Sequence, residues 1–195
     1  LDRVCSEIET DRVTTDDFNG ARMVTAHLIE MGCKRILYLG TKPQLLIGQD
    51  RQQGYLQALR DHNIPVETNL IIKCDTPGDV ATNKDYILSV AKNIDGIFAV
   101  NDFTAVAVMS LLKEEGYHIP KDIAIAGFGD DPIAIISDPP LTTVEQKGFQ
   151  MGQDAMNMLM NRLNNPDAKR VPISKVFSVE LKIRKSTNSK LASKL

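Results

Sequence analysis

The stretch that decides the fold runs from Asp95 to Gln146: DGIFAVNDFTAVAVMSLLKEEGYHIPKDIAIAGFGDDPIAIISDPPLTTVEQ. Ile97-Phe98-Ala99-Val100 is a short apolar run that ends in Asn101-Asp102. Val106, Met109 and Leu112 then recur at helical spacing until Gly116 stops the helix. Ile119-Pro120 leads into a second apolar run, Ile123-Ala124-Ile125-Ala126, which ends in the turn Gly127-Phe128-Gly129-Asp130-Asp131. Strand, helix, strand in this order is a βαβ unit. It sets polar residues at the carboxyl ends of two parallel strands, where open α/β sheets bind ligands.

The same grammar extends on both sides. Upstream, Val13-Thr14-Thr15 reads as a short strand or crossing segment and Asp16 or Asp17 as a helix cap, with Ala21, Val24, Leu28 and Met31 on one helical face up to Gly32. Ile36-Leu37-Tyr38-Leu39 is a strand ending at Gly40; residues 41–50 read as a loop and residues 51–62 as a helix with Tyr55, Ala58 and Leu59 inward. Leu70-Ile71-Ile72 is the next strand, Thr76-Pro77-Gly78-Asp79 a helix start, and Ile87, Val90 and Ala91 the inner face of the helix beyond it. Downstream, Thr142-Thr143-Val144 is a strand and residues 149–163 a helix; the alternating run 175–184 is expected to close the sheet. Strands that alternate with helices give a parallel, doubly wound α/β sheet with helices on both faces.

Composition places few limits on this fold and several on its chemistry. The 195 residues are 43% hydrophobic and 25% charged, ordinary for a globular chain, and the net charge of −2 contains no basic block of the kind that marks a nucleic-acid surface. Cys5, Cys33 and Cys74 are odd in number and lack metal spacing, which fits free thiols in a reducing compartment. His27, His62 and His118 are scattered. No apolar run reaches membrane-spanning length. There is no Gly-x-Ser-x-Gly elbow, P-loop or complete Gly-x-Gly-x-x-Gly. A non-enzyme without metal or other cofactor is expected.

The motifs of the opening stretch carry a resemblance. Asn101-Asp102, Gly116-Tyr117-His118-Ile119-Pro120-Lys121-Asp122-Ile123, Gly127-Phe128-Gly129-Asp130 and Pro139-Pro140-Leu141-Thr142-Thr143-Val144-Glu145-Gln146 stand in the order seen in the LacI/GalR family of bacterial transcription repressors. The resemblance is to that family's periplasmic-binding-protein-like effector-binding domain, and it covers nearly all of the chain. One position departs: the family pattern is Gly-Phe-Asp-Asp, and Gly129 stands where the first aspartate would be.

The resemblance implies two α/β lobes. Residues 16–144 and 175–185 would form a C-terminal subdomain, residues 1–15 and 147–174 part of an N-terminal subdomain, and residues 186–195 a flexible tail. Family members begin with a helix-turn-helix headpiece, a hinge helix and the first half of the N-terminal subdomain. Leu1-Asp2-Arg3 resembles the family's Val-Asp-Arg near the end of that half. The chain is therefore expected to be part of a longer one, and the Met- and Leu-rich helix 149–163 to expose an apolar stripe.

The resemblance also implies a site. Arg51, three residues before Gly54, matches an effector-contacting arginine whose planar donors suit hydroxyls or a carboxylate. Asn101 is assigned to the ligand and Asp102 to the helix cap. Asp130 stands equally as a turn residue and as a substitute for the carboxylate absent at Gly129. Gln146 falls at the crossing between lobes, Asp2 at the cleft mouth, and Thr76 where relatives place a stacking aromatic. By the same resemblance the chain is expected to serve a cytoplasmic, dimeric regulator. That regulator would sense a sugar or phosphosugar effector and contact operator DNA only through a headpiece this chain does not contain. Two alternatives share the motifs: the substrate-binding protein of a sugar transporter, and a repressor controlled by a protein corepressor.

Overall fold

The computed structural model describes residues 1–2, 8–41, 46–165 and 171–188. Its centre is a four-stranded sheet of β2 (Ile36–Gly40), β3 (Ile71–Lys73), β4 (Gly96–Ala99) and β5 (Ala124–Ala126), in the order β3-β2-β4-β5 and parallel throughout. Because side chains alternate across a strand, each strand serves two cores. Ile36, Tyr38, Phe98, Ala124 and Ala126 face one side and pack on α1 (Asp17–Glu30) and α2 (Leu46–Asp61) through Ala21, Val24, Leu28, Tyr55 and Leu59. Leu37, Leu39, Ile97, Ala99 and Ile125 face the other, against α3 (Pro77–Thr82), α4 (Lys84–Ala91) and α5 (Asp102–Glu114) through Val80, Ile87, Val108, Met109 and Leu112. The doubly wound reading of the sequence holds.

The strand order places the switch point. From β2 the chain moves outward to β3, then returns to lay β4 on the other side of β2. Connections on the two sides of β2 therefore leave over opposite faces, and a crevice opens at the carboxyl ends of β2 and β4. Beyond β5, single parallel bridges join Ala126 to Thr142 and Gly129 to Glu145. They extend the sheet to β6 (Thr143–Glu145), which pairs antiparallel with β8 (Glu180–Lys182). A short helix, α6 (Pro132–Ile136), lies between β5 and β6.

A smaller unit holds β1 (Arg12–Thr15), its parallel partner β7 (Ser174–Phe177) and α7 (Gly148–Leu163). Of α7 only Met151 is buried; Phe149 is 80% exposed, Met156 57% and Leu163 63%. The apolar stripe expected from the sequence is thus in the open. The helix is tied down by ion pairs instead, Arg162 to Asp11 and Lys175 to Asp154.

Three expectations need correction. The loop expected at residues 41–50 becomes helix from Leu46, so Arg51 lies inside α2 rather than at its start. Gly48 made this stretch read as loop, but the glycine serves close packing: a Cβ there would come within 1.8 Å of Thr41 Oγ1. The strand expected at 175–184 does not close the central sheet. It splits at Ser178-Val179, where Val179 turns onto the α1 core, giving β7 to the small unit and β8 to β6. Residues 174–177 therefore belong with 12–15. The flexible tail drawn from residue 186 starts too early: Ser186 is fully buried, and its Oγ donates to Ile125 O at 2.6 Å while Thr142 N donates to it at 2.8 Å. Cys5 and residues 189–195 lie outside the described residues.

Candidate functional site

Six of the eight strands among the described residues are followed, beyond their carboxyl ends, by a polar residue: Asp17 after β1, Arg51 in the helix after β2, Thr76 after β3, Asn101 after β4, Asp130 after β5 and Gln146 after β6. This is the carboxyl edge that contains the switch point.

Arg51 sits at the switch itself. Its Nε donates to Asp17 Oδ1 at 2.7 Å, its Nη1 to Val100 O at the end of β4 at 2.5 Å, and its guanidinium lies over the Phe128 ring, 3.7 Å from the centroid. The residue is 5% exposed and Asp17 6%. Among the described residues Nη2 makes no hydrogen bond. Burial lifts the Asp17 carboxyl to about 6; Arg51 pulls it down, and the neighbouring carboxylates of Asp2 and Asp50 push it up. Burial wins because both charges leave water while a single hydrogen bond joins them.

Asn101 is not free for a ligand as expected. It is the N-cap of α5: its Oδ1 accepts from Thr104 N at 2.9 Å, and its Nδ2 donates to Asp75 O at 2.7 Å. Asp102, to which the cap was assigned, stands one residue inside the helix with its carboxylate fully buried. It accepts from Thr143 Oγ1 at 2.5 Å and Asp131 N at 2.9 Å, and burial, outweighing those two bonds, lifts it to about 6. The roles are exchanged because Asn supplies a donor and an acceptor at once, and the cap position demands both.

Thr76 is likewise engaged, capping α3 in a box with Asp79: Asp79 N donates to Thr76 Oγ1 at 3.1 Å, and Thr76 N to Asp79 Oδ2 at 3.1 Å. Asp130 takes a left-handed backbone, φ 57°, and pairs with Arg184 Nη2 at 2.6 Å. Gln146 Nε2 reaches Thr15 Oγ1 at 3.5 Å, a long contact that joins the ends of β6 and β1 across the two units. Asp2 donates its backbone N–H to Val13 O at 2.8 Å, and its Oδ1 is enclosed without a hydrogen-bond partner among the described residues. Tyr38 Oη is enclosed in the same way.

The geometry brings Arg51 and Asp2 to one end of the edge, beside Asp17, and ties Asp130 to the far end through Arg184. Sequence reasoning missed Asp17, Phe128, Thr143 and Arg184 as members of the edge. The pair Asp16-Asp17 held the one available clue: only one of two adjacent acids can cap a helix, and here Asp16 does so, accepting from Asn19 N at 3.2 Å.

No three metal-type side chains gather among the described residues. Cys33 and Cys74 are buried thiols pushed up to about 12 by desolvation, hence protonated and unreactive. No helix among the described residues is long and apolar enough to cross a membrane.

Residues 25–187 match the model of a family described as periplasmic binding protein-like domain. Among curated relatives, the HTH-type transcriptional repressor PurR of Mannheimia succiniciproducens is 29% identical over 179 residues, 91% of this chain and 53% of that protein. A solved transcriptional regulator CelR–cellobiose complex superposes with a TM-score of 0.87 at 27% identity, over 95% of this chain and 57% of that one. A LacI family transcriptional regulator from Enterococcus faecium with bound ribose gives a TM-score of 0.80 at 27% identity, over 90% of this chain and 65% of that one. The chain spans about half the length of the curated relatives it matches.

Proposed function

Because the chain belongs to the periplasmic binding protein-like family, in the form that serves LacI/GalR-type transcription regulators as their ligand-binding domain, we propose that it senses a sugar or phosphosugar. The ligand would lie between the two units at the carboxyl edge, and its binding would set the operator affinity of a DNA-binding headpiece carried elsewhere in the full-length, dimeric protein. The observation that carries this reading is Arg51: a planar donor at the switch point, stacked on Phe128 and with Nη2 left without an acceptor among the described residues. Arginine over an aromatic ring is a rigid polar surface for a hydroxyl-rich ring. The relatives solved with cellobiose and with ribose support a sugar as the ligand class.

The mechanism would be a population shift. The chain passes between the two units at Asp16, at Gln146-Lys147 and at Ser178-Val179. A ligand that touches both units favours the arrangement in which it makes more contacts, and only that difference in affinity moves the equilibrium. A thermal-shift panel of sugars and phosphosugars tests the reading. A ligand at about 100 times its Kd stabilises by ~2.7 kcal/mol, and Arg51→Lys, which keeps the charge beside Asp17 and removes the planar fork, is expected to abolish that gain. A folded chain that no sugar stabilises would instead point to a protein corepressor.

A further inference from the structure

We propose that Asp17 is a specificity-determining residue: its ion pair with Arg51 keeps the ligand site free of excess positive charge, so that the site accepts uncharged polyols and rejects anions, phosphosugars included. The inference rests on the preceding reading of the carboxyl edge as the ligand site, and it narrows the ligand class given there.

Two arginines are hydrogen-bonded into this edge, and each is held by a carboxylate: Arg51 by Asp17 at 2.7 Å, Arg184 by Asp130 at 2.6 Å. Two further carboxyl groups pair with no cation among the described residues. Asp102 is held by a hydroxyl and a backbone N–H, and Asp2 has an enclosed Oδ1 with no partner. Among the described residues these carboxylates outnumber the arginines at the edge. A phosphate or carboxylate oxygen that accepts from Arg51 Nη2 meets a guanidinium already neutralised by Asp17, with the charge of Asp2 acting on the same pair. An anion there gains little from Arg51 and is repelled by both carboxylates.

An uncharged polyol meets neither obstacle. A hydroxyl can accept from Arg51 Nη2 while the Asp17–Arg51 pair stays closed. The charge of the site is then unchanged.

The test uses inorganic phosphate as the anionic probe, titrated calorimetrically at pH 7.5 and constant ionic strength into the wild-type chain, Asp17→Asn, and the double variant Asp17→Asn/Arg51→Met. A cooperative melt is required of each, and Asp17→Ala stands in if the asparagine form does not fold. The expected result is no phosphate binding to the wild type at millimolar concentration, at least tenfold tighter binding to the Asp17 variant, and its loss in the double variant. Equal phosphate affinity in wild type and Asp17 variant, or none in either, would overturn the proposal. The sugar panel is read separately. Phosphate gained on removal of Asp17 with no sugar response in the wild type would sink the sugar-sensing reading and leave the role of Asp17 in excluding anions standing.

Discussion

Thr143 donates its hydroxyl to Asp102 at 2.5 Å. The bond ties the first turn of α5, which follows β4, to β6 across β5, and so fixes the edge strand to the switch-point helix. Its acceptor is a carboxylate with no surface exposure. The anchor is mechanically direct and electrostatically costly, and that cost is measurable.

Burial lifts both Asp102 and Asp17 from 3.8 to about 6. The folded state therefore holds protons that the unfolded chain has released between pH 4 and pH 6. Each group makes stability fall as pH rises through that window, by at most ~1.4 kcal/mol per pH unit. His27, lowered by burial, acts in the opposite sense below pH 6.5. The comparison with a variant isolates the carboxylate: Asp102→Asn is expected to flatten the decline between pH 4.5 and pH 7 in urea-unfolding midpoints. Parallel wild-type and variant profiles would show that Asp102 ionises normally.

Asn101 joins two elements with one amide. Asn101→Ala removes the α5 cap and leaves Asp75 O without its donor, an expected loss of ~1–3 kcal/mol. Asn101→Ser keeps a side-chain acceptor for Thr104 N and loses the bond to Asp75 O, so its unfolding midpoint should fall between those of the wild type and the alanine variant. If Asn101→Ser is as damaging as Asn101→Ala, the bond to Asp75 outweighs the cap.

The doubly wound sheet was legible because its signal is local. Runs such as Ile36–Leu39 and Ile97–Val100, bounded by Gly40 and Asn101-Asp102, declare buried strands. The fate of residues 175–184 was not legible, because their alternation fits any strand and says nothing about its partner; the choice of β1 for β7 and β6 for β8 is made by tertiary packing. The site divided in the same way. Asn101, Asp130 and Gln146 could be placed just after strands from the order of motifs alone, whereas Arg51 could not, because the helix that carries it already begins at Leu46. Which side chain holds which could not, since Asp17 and Arg51 lie 34 positions apart and Asp130 and Arg184 54 apart.

Ser186 shows how a polar tail residue becomes core. Its hydroxyl bridges β5 and the start of β6, with Ile125 O accepting and Thr142 N donating. Ser186→Ala strands a buried N–H and a buried carbonyl together, which should cost ~2–4 kcal/mol.

Gly129 is the position where the family pattern has an aspartate, and restoring it is expected to harm this chain. The residue has φ +139°, a region that L side chains rarely adopt, and a Cβ there would stand 3.0 Å from Asp131 Oδ2 and 3.4 Å from Asp102 Oδ2. Gly129→Asp therefore adds backbone strain of ~1–3 kcal/mol to repulsion among three carboxyl groups. Gly129→Asn adds the same strain without the charge. The two variants should both destabilise, the aspartate more at pH 7.5 than at pH 4.5 and the asparagine equally at both. An aspartate variant as stable as the wild type would mean that the turn relaxes to the family conformation, releasing Asp130 from Arg184; loss of the Asp130–Arg184 coupling in a double-mutant cycle would register that change directly.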